Sequence, residues 1–424
     1  MKVFKFGGAS VKDAASVRNV AQILEQYRKD QLVVVVSAMG KTTNALERVV
    51  QAFLSDDTSL PSLLEQVKEF HQRIIEELNF PAGHAVRDDI NNCFVEIDWV
   101  LEEHSGKGYN WTYDQIVGMG EILATRIVSA YLTLTDHPNC WLDVRDVLQT
   151  DNTYREGKVN WLDTERLINE QIPALFKMQP IVVTQGFIGS TSENFTTTLG
   201  REGSDYTAAI FSYCLNAQEM VVWKDVPGVL SADPKYYDDA IKLEQISYLD
   251  AIELTYYGAT VIHPKTIKPL ENKQIPMRVA SFLAPADKGT LIGNFITTRP
   301  LVPCFIFKTN QILFSIAAKD FSFIAEENLS RIFSIFAKHH VKINLMQNSA
   351  ISFSVCADNE IMKIGGLTED LGREFKVRYN EHLRLITIRH YFPATIKQLT
   401  KGKTILLEQR SRQTAQIIIR EDVA

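Results

Sequence analysis

Met1-Lys2-Val3-Phe4-Lys5-Phe6-Gly7-Gly8-Ala9-Ser10 opens the chain and decides how the rest of it is read. Val3 to Phe6 alternate with lysine at the period of a strand. Gly7 and Gly8 break that strand: a glycine pair reaches backbone angles other residues avoid, and lets main-chain N–H groups approach a ligand with no side chain between. Ser10-Val11-Lys12-Asp13 has the Ser-x-x-Asp form of a capping box and opens a helix carrying Val17, Val20, Ala21 and Leu24. Strand, double glycine and capped helix direct free N–H groups and a helix N-terminus at one point, which suits a phosphate. Lys5, near the strand's C-terminal end, brings a positive charge to the same point. A lysine before a glycine turn is more often a solvated strand end, so this reading needs support from elsewhere in the chain.

A chain of 424 residues predicts two or three domains, and 45% hydrophobic with 23% charged residues is the composition of a globular protein with a substantial core. The net charge of −6, with no basic block, argues against nucleic acid as a partner. The five cysteines (93, 140, 214, 304 and 356) have neither metal-type nor redox-type spacing, and read as buried thiols in a reducing compartment. The N-terminus runs straight into a strand and no apolar run approaches membrane-spanning length, so the expectation is a cytoplasmic protein with no membrane partner.

Further along, Leu32-Val33-Val34-Val35-Val36 is an unbroken run typical of a strand buried on both faces of a parallel sheet. It ends at Ser37-Ala38-Met39-Gly40-Lys41-Thr42-Thr43-Asn44. The Gly-Lys-Thr imitates a phosphate-binding P-loop, but Val35 stands where the partner glycine would be, and that reading is rejected. Small hydroxyl residues at a strand end, ahead of a helix over 45–53, still suit the carboxyl-edge crevice of an open α/β sheet. Residues 60–133 read as helical, with Glu121 at a helix start in Gly118-Met119-Gly120-Glu121. Residues 141–147 read as a strand, 162–176 as a helix and 180–187 as a strand with a glycine end.

Thr196-Thr197-Thr198-Leu199-Gly200-Arg201-Glu202-Gly203-Ser204-Asp205 is a second glycine-bearing loop feeding a helix N-terminus, with an arginine able to grip a carboxylate or phosphate bidentately. Ser204 or Asp205 reads as the helix cap, which leaves Arg201 unexplained. A strand over 219–223 ends in Lys224-Asp225-Val226-Pro227-Gly228-Val229-Leu230-Ser231-Ala232-Asp233-Pro234-Lys235. A helix over 247–257 and a strand over 276–280 follow, His263 reads as a turn residue, and 297–303 as a linker. Beyond it, short strands alternating with helices fit small four-stranded α+β units present about twice, a ligand-sensing or dimerising module without a phosphate loop.

Lys5-Phe-Gly-Gly-Ala-Ser10, Gly200-Arg-Glu-Gly-Ser-Asp205 and Lys224-Asp-Val-Pro-Gly228, in that order and spacing, resemble the aspartate kinases of the amino acid kinase superfamily. Residues 37–44, Met119-Gly-Glu-Ile122, Gln185-Gly-Phe-Ile-Gly189 and Tyr257-Gly-Ala-Thr-Val-Ile-His-Pro264 match as well, so the resemblance spans about the first 300 residues. The remainder is similar, more loosely, to that family's paired ACT domains. The resemblance implies an α/β amino acid kinase domain (1–298), an open, mainly parallel sheet sandwiched by helices, followed by two α+β ferredoxin-like ACT domains (304–424). It implies transfer of the γ-phosphoryl of MgATP to the side-chain carboxylate of L-aspartate, the first step of lysine, threonine and methionine biosynthesis. It also implies a homodimer or dimer of dimers, and an amino-acid effector at the ACT domains.

Carried onto these positions, the resemblance puts Lys5 on the transferring phosphoryl, with the Gly7 and Gly8 amides beside it, and Asp205 orienting the cationic groups. Arg201 would hold an aspartate carboxylate and Glu121 the α-ammonium, with Ser37 and Thr43 as substrate-contacting hydroxyls. Ser10, Lys224, Asp225, Leu230, Lys235 and Thr260 fall at nucleotide-contacting positions. Mg²⁺ would arrive with ATP, with no protein ligand assigned. Several positions depart from the pattern. Ala9 and Lys224 each replace a usual threonine, and Thr260 stands where a lysine often touches ATP, with Lys224 the available substitute. Ser322-Phe323-Ile324 replaces Gly-Phe-Leu, and Asn344 and Ser349-Ala350 replace the Asp and Ser-Glu of lysine-sensitive members. The carboxylates that would hold an effector ammonium are thus missing, which argues against lysine and leaves threonine, another ligand or none as the effector. The alternatives are another amino acid kinase, against which Glu121 and the ACT-like module argue, or a catalytically weak ACT sensor. Intact Lys5, Arg201, Asp205 and Asp225 argue against the sensor.

Overall fold

The computed structural model describes residues 1–103, 106–259, 262–295, 301–320 and 322–420. They form two compact units: Met1–Val229 with Lys242–Ile252 and Val261–Ile296, and Leu230–Ile241 with Glu253–Thr260 and Thr297–Ala424.

The first unit carries β1 (Lys2–Phe6), α1 (Ala14–Glu25), β2 (Leu32–Val36), α2 (Thr42–Leu54), α3 (Leu60–Glu77), α4 (Val86–Glu102), α5 (Tyr109–Val117) and α6 (Met119–Leu134). Next come β3 (Asn139–Leu142), α7 (Trp161–Phe176), β4 (Ile181–Gln185), β5 (Ile188–Ser190), β6 (Thr196–Thr198), α8 (Gly203–Cys214) and β7 (Met220–Lys224). Beyond them lie β8 (Gln245–Ser247), α9 (Tyr248–Tyr257), α10 (Pro264–Asn272), β9 (Met277–Ser281) and β10 (Thr290–Gly293), α9 running across the division between the units.

Eight strands form one sheet in the order β3-β4-β2-β1-β7-β9-β10-β8, parallel at every interface except β9–β10. This is the open, mainly parallel sheet between helices that the resemblance implied. The side chains explain it. All five residues of β2 are fully buried, as the apolar run predicts, and α8 hides ten of its twelve residues. Phe6 stacks on Trp223 across β1 and β7, ring centroids 6.0 Å apart. β2 and β7 flank β1 on opposite sides, so the carboxyl ends of the central strands border a crevice where the strand order diverges.

Several local expectations are corrected. Ser10 does not cap α1; it sits in a short 3₁₀ turn (Gly8–Val11) with its hydroxyl donating to the Trp223 carbonyl at 3.3 Å, and Asp13 is the cap, accepting from Ser16 N–H. Gly7 has extended angles open to any residue (φ −78°, ψ 170°), so freedom of backbone is not the reason for the glycine pair. The reason at Gly8 is close approach: a Cβ there would lie 2.7 Å from the Ala38 carbonyl oxygen. Residues 141–147 form a strand only to Leu142 before a 3₁₀ turn, and Thr196–Thr198 is a strand paired with β5 rather than loop. Helices α5 and α6 together (Tyr109–Leu134) are long and apolar enough to cross a membrane, contrary to expectation, but most of this stretch is buried in the unit and serves as core.

The second unit adds β11 (Cys304–Ala318), α11 (Glu326–Lys338), β12 (Ile343–Asn348), β13 (Phe353–Asp358), α12 (Ile361–Glu374), β14 (Phe375–Arg389), α13 (Pro393–Leu399), β15 (Thr404–Arg410) and β16 (Thr414–Arg420). The two expected α+β units are present but share one antiparallel sheet, β12-β13-β11-β14-β16-β15. The strands expected at 305–307 and 312–316 are one fifteen-residue strand, β11, which pairs with the equally long β14 through both halves. Each half keeps its own core: Phe314, Ile332, Phe336 and Leu367 in one, Phe305, Ile386, Ile396 and Ile417 in the other.

Candidate active site

The crevice of the first unit holds a cavity of about 490 Å³. β1 delivers Lys5 to it from between β2 and β7, pairing with Val35 and Val222, which leaves its side chain only 9% exposed. A lysine so deep needs a counter-charge. The first turn of α8 provides it: Asp205 Oδ1 lies 2.7 Å from Lys5 Nζ, and its Oδ2 lies 3.2 Å from Lys224 Nζ at the end of β7. Neither Ser204 nor Asp205 caps α8; the N-cap is Glu202, at φ 56°. Burial alone would raise the Asp205 carboxyl, but Lys5 and then Lys224 outweigh it and hold it below its ordinary value. Two ammonium groups against one carboxylate leave a net positive charge at the helix N-terminus, a setting for a polyanion.

Glu121, in the first turn of α6, faces the same cavity. Burial pushes it up to about 8, against the opposing pull of Lys5 and the Ala38 backbone, and its Oε2 has no hydrogen-bond partner. A buried carboxylate with an unused oxygen is a site for a cationic group. Gly8, Ser37, Thr43 and Arg201 line the same cavity. Seven of the expected residues are therefore brought together: Lys5, Gly8, Ser37, Thr43, Glu121, Arg201 and Asp205.

The others lie differently. Gly7 stands behind Lys5, where a Cβ would meet its Nζ at 3.2 Å. Ser10 is buried against Trp223, and Lys224 touches the cavity through Asp205. Asp225 is exposed beyond β7. Leu230 and Lys235 belong to the second unit, where Lys235 is exposed and its N–H donates to Asp233 Oδ1 at 2.9 Å. Thr260 lies outside the described residues. Among the described residues no group of three or more His, Cys, Asp or Glu side chains is placed to hold a metal ion.

Sequence reasoning missed Tyr113 and Arg155, which also line the cavity. No motif surrounds them. They arrive through Asp114, a buried residue of α5 that accepts from Arg155 N–H (2.8 Å), Thr198 N–H (2.9 Å) and the Thr198 hydroxyl (2.8 Å). One carboxylate thus fastens α5, the 151–157 loop and β6 around the cavity. Burial raises Asp114 to about 6, and these hydrogen bonds pull the other way.

The sequence matches the amino acid kinase family over residues 1–281. It is 30% identical to lysine-sensitive aspartokinase 3 of Escherichia coli over 398 residues, 91% of this chain and 86% of that protein. It is also 30% identical to the chloroplastic aspartokinase 1 of Arabidopsis thaliana, over 84% of this chain and 63% of that protein. Among solved structures it resembles E. coli aspartokinase III with lysine and aspartate in the T-state (TM-score 0.85, 26% identity, 99% of this chain and 95% of that one). The same enzyme with aspartate and ADP in the R-state gives a TM-score of 0.81 at 26% identity, over 99% of this chain and 96% of that one. The chain belongs to the amino acid kinase family and, within it, to the aspartokinases.

Proposed function

We infer that this protein is an aspartate kinase that transfers the γ-phosphoryl group of ATP to the side-chain carboxylate of L-aspartate, giving 4-phospho-L-aspartate. The observation that carries the reading is one cavity lined by Lys5, Asp205, the buried Glu121 and Arg201, with Lys224 paired to Asp205. The relatives named above, one solved with aspartate and ADP, support it.

A carboxylate is ionised at neutral pH, so attack on the γ-phosphorus requires no general base. The carboxylate oxygen bonds to phosphorus as the bond to the bridging oxygen of ADP breaks, and no proton changes hands. The barrier is repulsion between anions, which a preorganised positive field lowers. Lys5 supplies that field at the reacting oxygens, with the Gly7 and Gly8 amides beside it. Asp205 holds both ammonium groups in place. Arg201 grips the substrate's α-carboxylate, Glu121 takes its ammonium, and the Ser37 and Thr43 hydroxyls complete its contacts. Lys224 and Asp225, with Ser10 behind the first turn, serve the nucleotide. Mg²⁺ suits this site as a companion of the phosphates, because the Asp205 oxygens are taken by lysines; it screens the charge of the triphosphate when bound.

We further assign the paired ACT module to self-association as a homodimer or dimer of dimers and to binding of an amino-acid effector, and place the protein in the cytoplasm, where cysteines held as thiols are at home. Hydroxylamine trapping of the acyl phosphate tests the reaction. Hydroxamate should form from L-aspartate with MgATP and not from glutamate or acetylglutamate; none from any amino acid, in protein that binds ATP, would replace this reading with that of a sensor.

A further inference from the structure

The geometry points to Arg155 as a second substrate-binding arginine, one that grips a carboxylate of the amino-acid substrate from the wall formed by α5 and the 151–157 loop; this rests on the kinase reading above. Three observations carry it.

Arg155 adopts φ 70°, a left-handed conformation that is cheap for glycine or asparagine and costs an arginine of order 1 kcal/mol. The chain holds it there with a buried carboxylate, Asp114 Oδ2 accepting its N–H at 2.8 Å. A residue kept where a smaller one would fit more easily points to use of its side chain, and that side chain lines the substrate cavity.

The guanidinium is positioned by two tyrosines, one of which, Tyr113, it also bonds at the hydroxyl, and only part of its five-donor fork is engaged. Its carbon lies 4.2 Å from the ring centroid of Tyr113 and 5.3 Å from that of Tyr109. Stacking on a ring face orients the plane of an arginine while leaving the N–H fork at its edge for a planar anion. Its ion pair with Glu47 is at the limit of contact, 4.0 Å, with the Arg155 side chain 41% exposed. Glu47 is itself engaged, accepting from the Tyr109 hydroxyl at 3.0 Å.

The position complements the rest of the site. Lys5 and Lys224 are gathered on Asp205 at the start of α8, whereas Arg155 is fastened with Thr198 to Asp114 of α5, and Arg201 lines the same cavity from the loop before α8. A dicarboxylate substrate bears two negative charges, and a cavity with a guanidinium on each of two separate loops selects for it over a monocarboxylate.

Steady-state kinetics of hydroxamate formation with Arg155→Met, Arg155→Lys and Glu47→Gln test the assignment. Arg155→Met should raise KM for L-aspartate about 10- to 100-fold, the loss of one charge-assisted contact. It should leave kcat and KM for MgATP within about threefold, with Arg155→Lys between it and wild type. If the arginine were a strut to α2, Glu47→Gln would reproduce the defect; a substrate role predicts an unchanged or lower KM for aspartate. An Arg155→Met enzyme with unaltered KM for aspartate, or a matching Glu47→Gln defect, overturns the assignment while the kinase reading stands. Should wild type bind L-aspartate by calorimetry yet form no hydroxamate, the kinase reading falls, and a tenfold or greater binding loss in Arg155→Met still supports the arginine. Absence of any aspartate binding to wild type overturns both.

Discussion

Lys5 Nζ and Asp205 Oδ1 meet 2.7 Å apart, the end of β1 against the first turn of α8, with side chains 9% and 0% exposed. Lys224 on the other oxygen makes the cluster a bridge between two ammonium groups. Removing the shared carboxylate takes the counter-charge from the buried Lys5 and a partner from the half-buried Lys224, whereas removing Lys5 leaves Asp205 still paired with Lys224. Asp205→Ala should therefore lower the unfolding free energy by about 3–5 kcal/mol in urea titration. Lys5→Ala should lower stability far less and turnover by orders of magnitude, because its role lies in the transition state. Near-normal turnover in Lys5→Ala would remove it from the chemistry.

Glu121 supplies a proton-linked signature of substrate binding. Raised to about 8 by burial, it is mainly protonated in the ligand-free site at pH 7, and an arriving ammonium stabilises its ionised form. Binding of L-aspartate at pH 7 should release about one proton, measured by calorimetry in buffers of different ionisation enthalpy. The release should vanish in Glu121→Gln. Zero release in wild type would contradict the placement of the ammonium.

Asp114 makes stability depend on pH with a definite sign. Its folded value of about 6 lies above the unfolded 3.8, so the folded protein holds the extra proton in that window and stability falls as pH rises through it. Asparagine can accept both N–H groups on its oxygen and donate to the Thr198 hydroxyl, without carrying charge. Relative to wild type, Asp114→Asn should gain stability as pH rises from about 4 to about 6, and the gain should level off above. Asp114→Ala leaves the Arg155 and Thr198 N–H groups unpaired, costing about 1–3 kcal/mol each, and should also raise KM for aspartate by releasing the 151–157 loop. A pH-independent difference between Asp114→Asn and wild type would refute the linkage.

L-lysine should not inhibit this enzyme, although an E. coli relative has been solved with it. Asn344 Oδ1 accepts from Lys308 Nζ at 2.7 Å, and its Nδ2 donates to Gln311 Oε1 at 2.8 Å and Asp358 Oδ1 at 3.0 Å. The amide is thus occupied at both ends within the second unit and brings no free negative charge to an effector's ammonium. Hydroxamate formation measured with and without millimolar L-lysine checks this; clear inhibition would locate the effector's ammonium on other residues.

Local sequence read well where periodicity and glycine placement act over a few residues. β2 is apolar at every position and is buried at every position. The loops at 7–8, 37–44 and 200–205 declared themselves because glycine, hydroxyl and charge cluster at strand ends, and their residues converge in the cavity. Ser10 misled because a capping pattern is satisfied by any nearby acceptor or donor, and Asp13 offered the better geometry. The fused six-stranded sheet escaped because Thr309 and Asn310, which look like a break, sit at a register shift in the middle of β11.

By itself, then, the sequence determined the parallel sheet, the anion-binding turns and the charges carried to them, since strand burial and turn chemistry are properties of neighbouring residues. Only the tertiary structure decided which charges meet. Asp205 pairs with Lys5 and Lys224 because β1, β7 and α8 converge, Glu121 takes up its proton because the fold excludes water from it, and Arg155 reaches the cavity because a buried Asp114 fastens its loop. Burial and long-range hydrogen bonding arise between segments distant in the chain, so no local pattern records them.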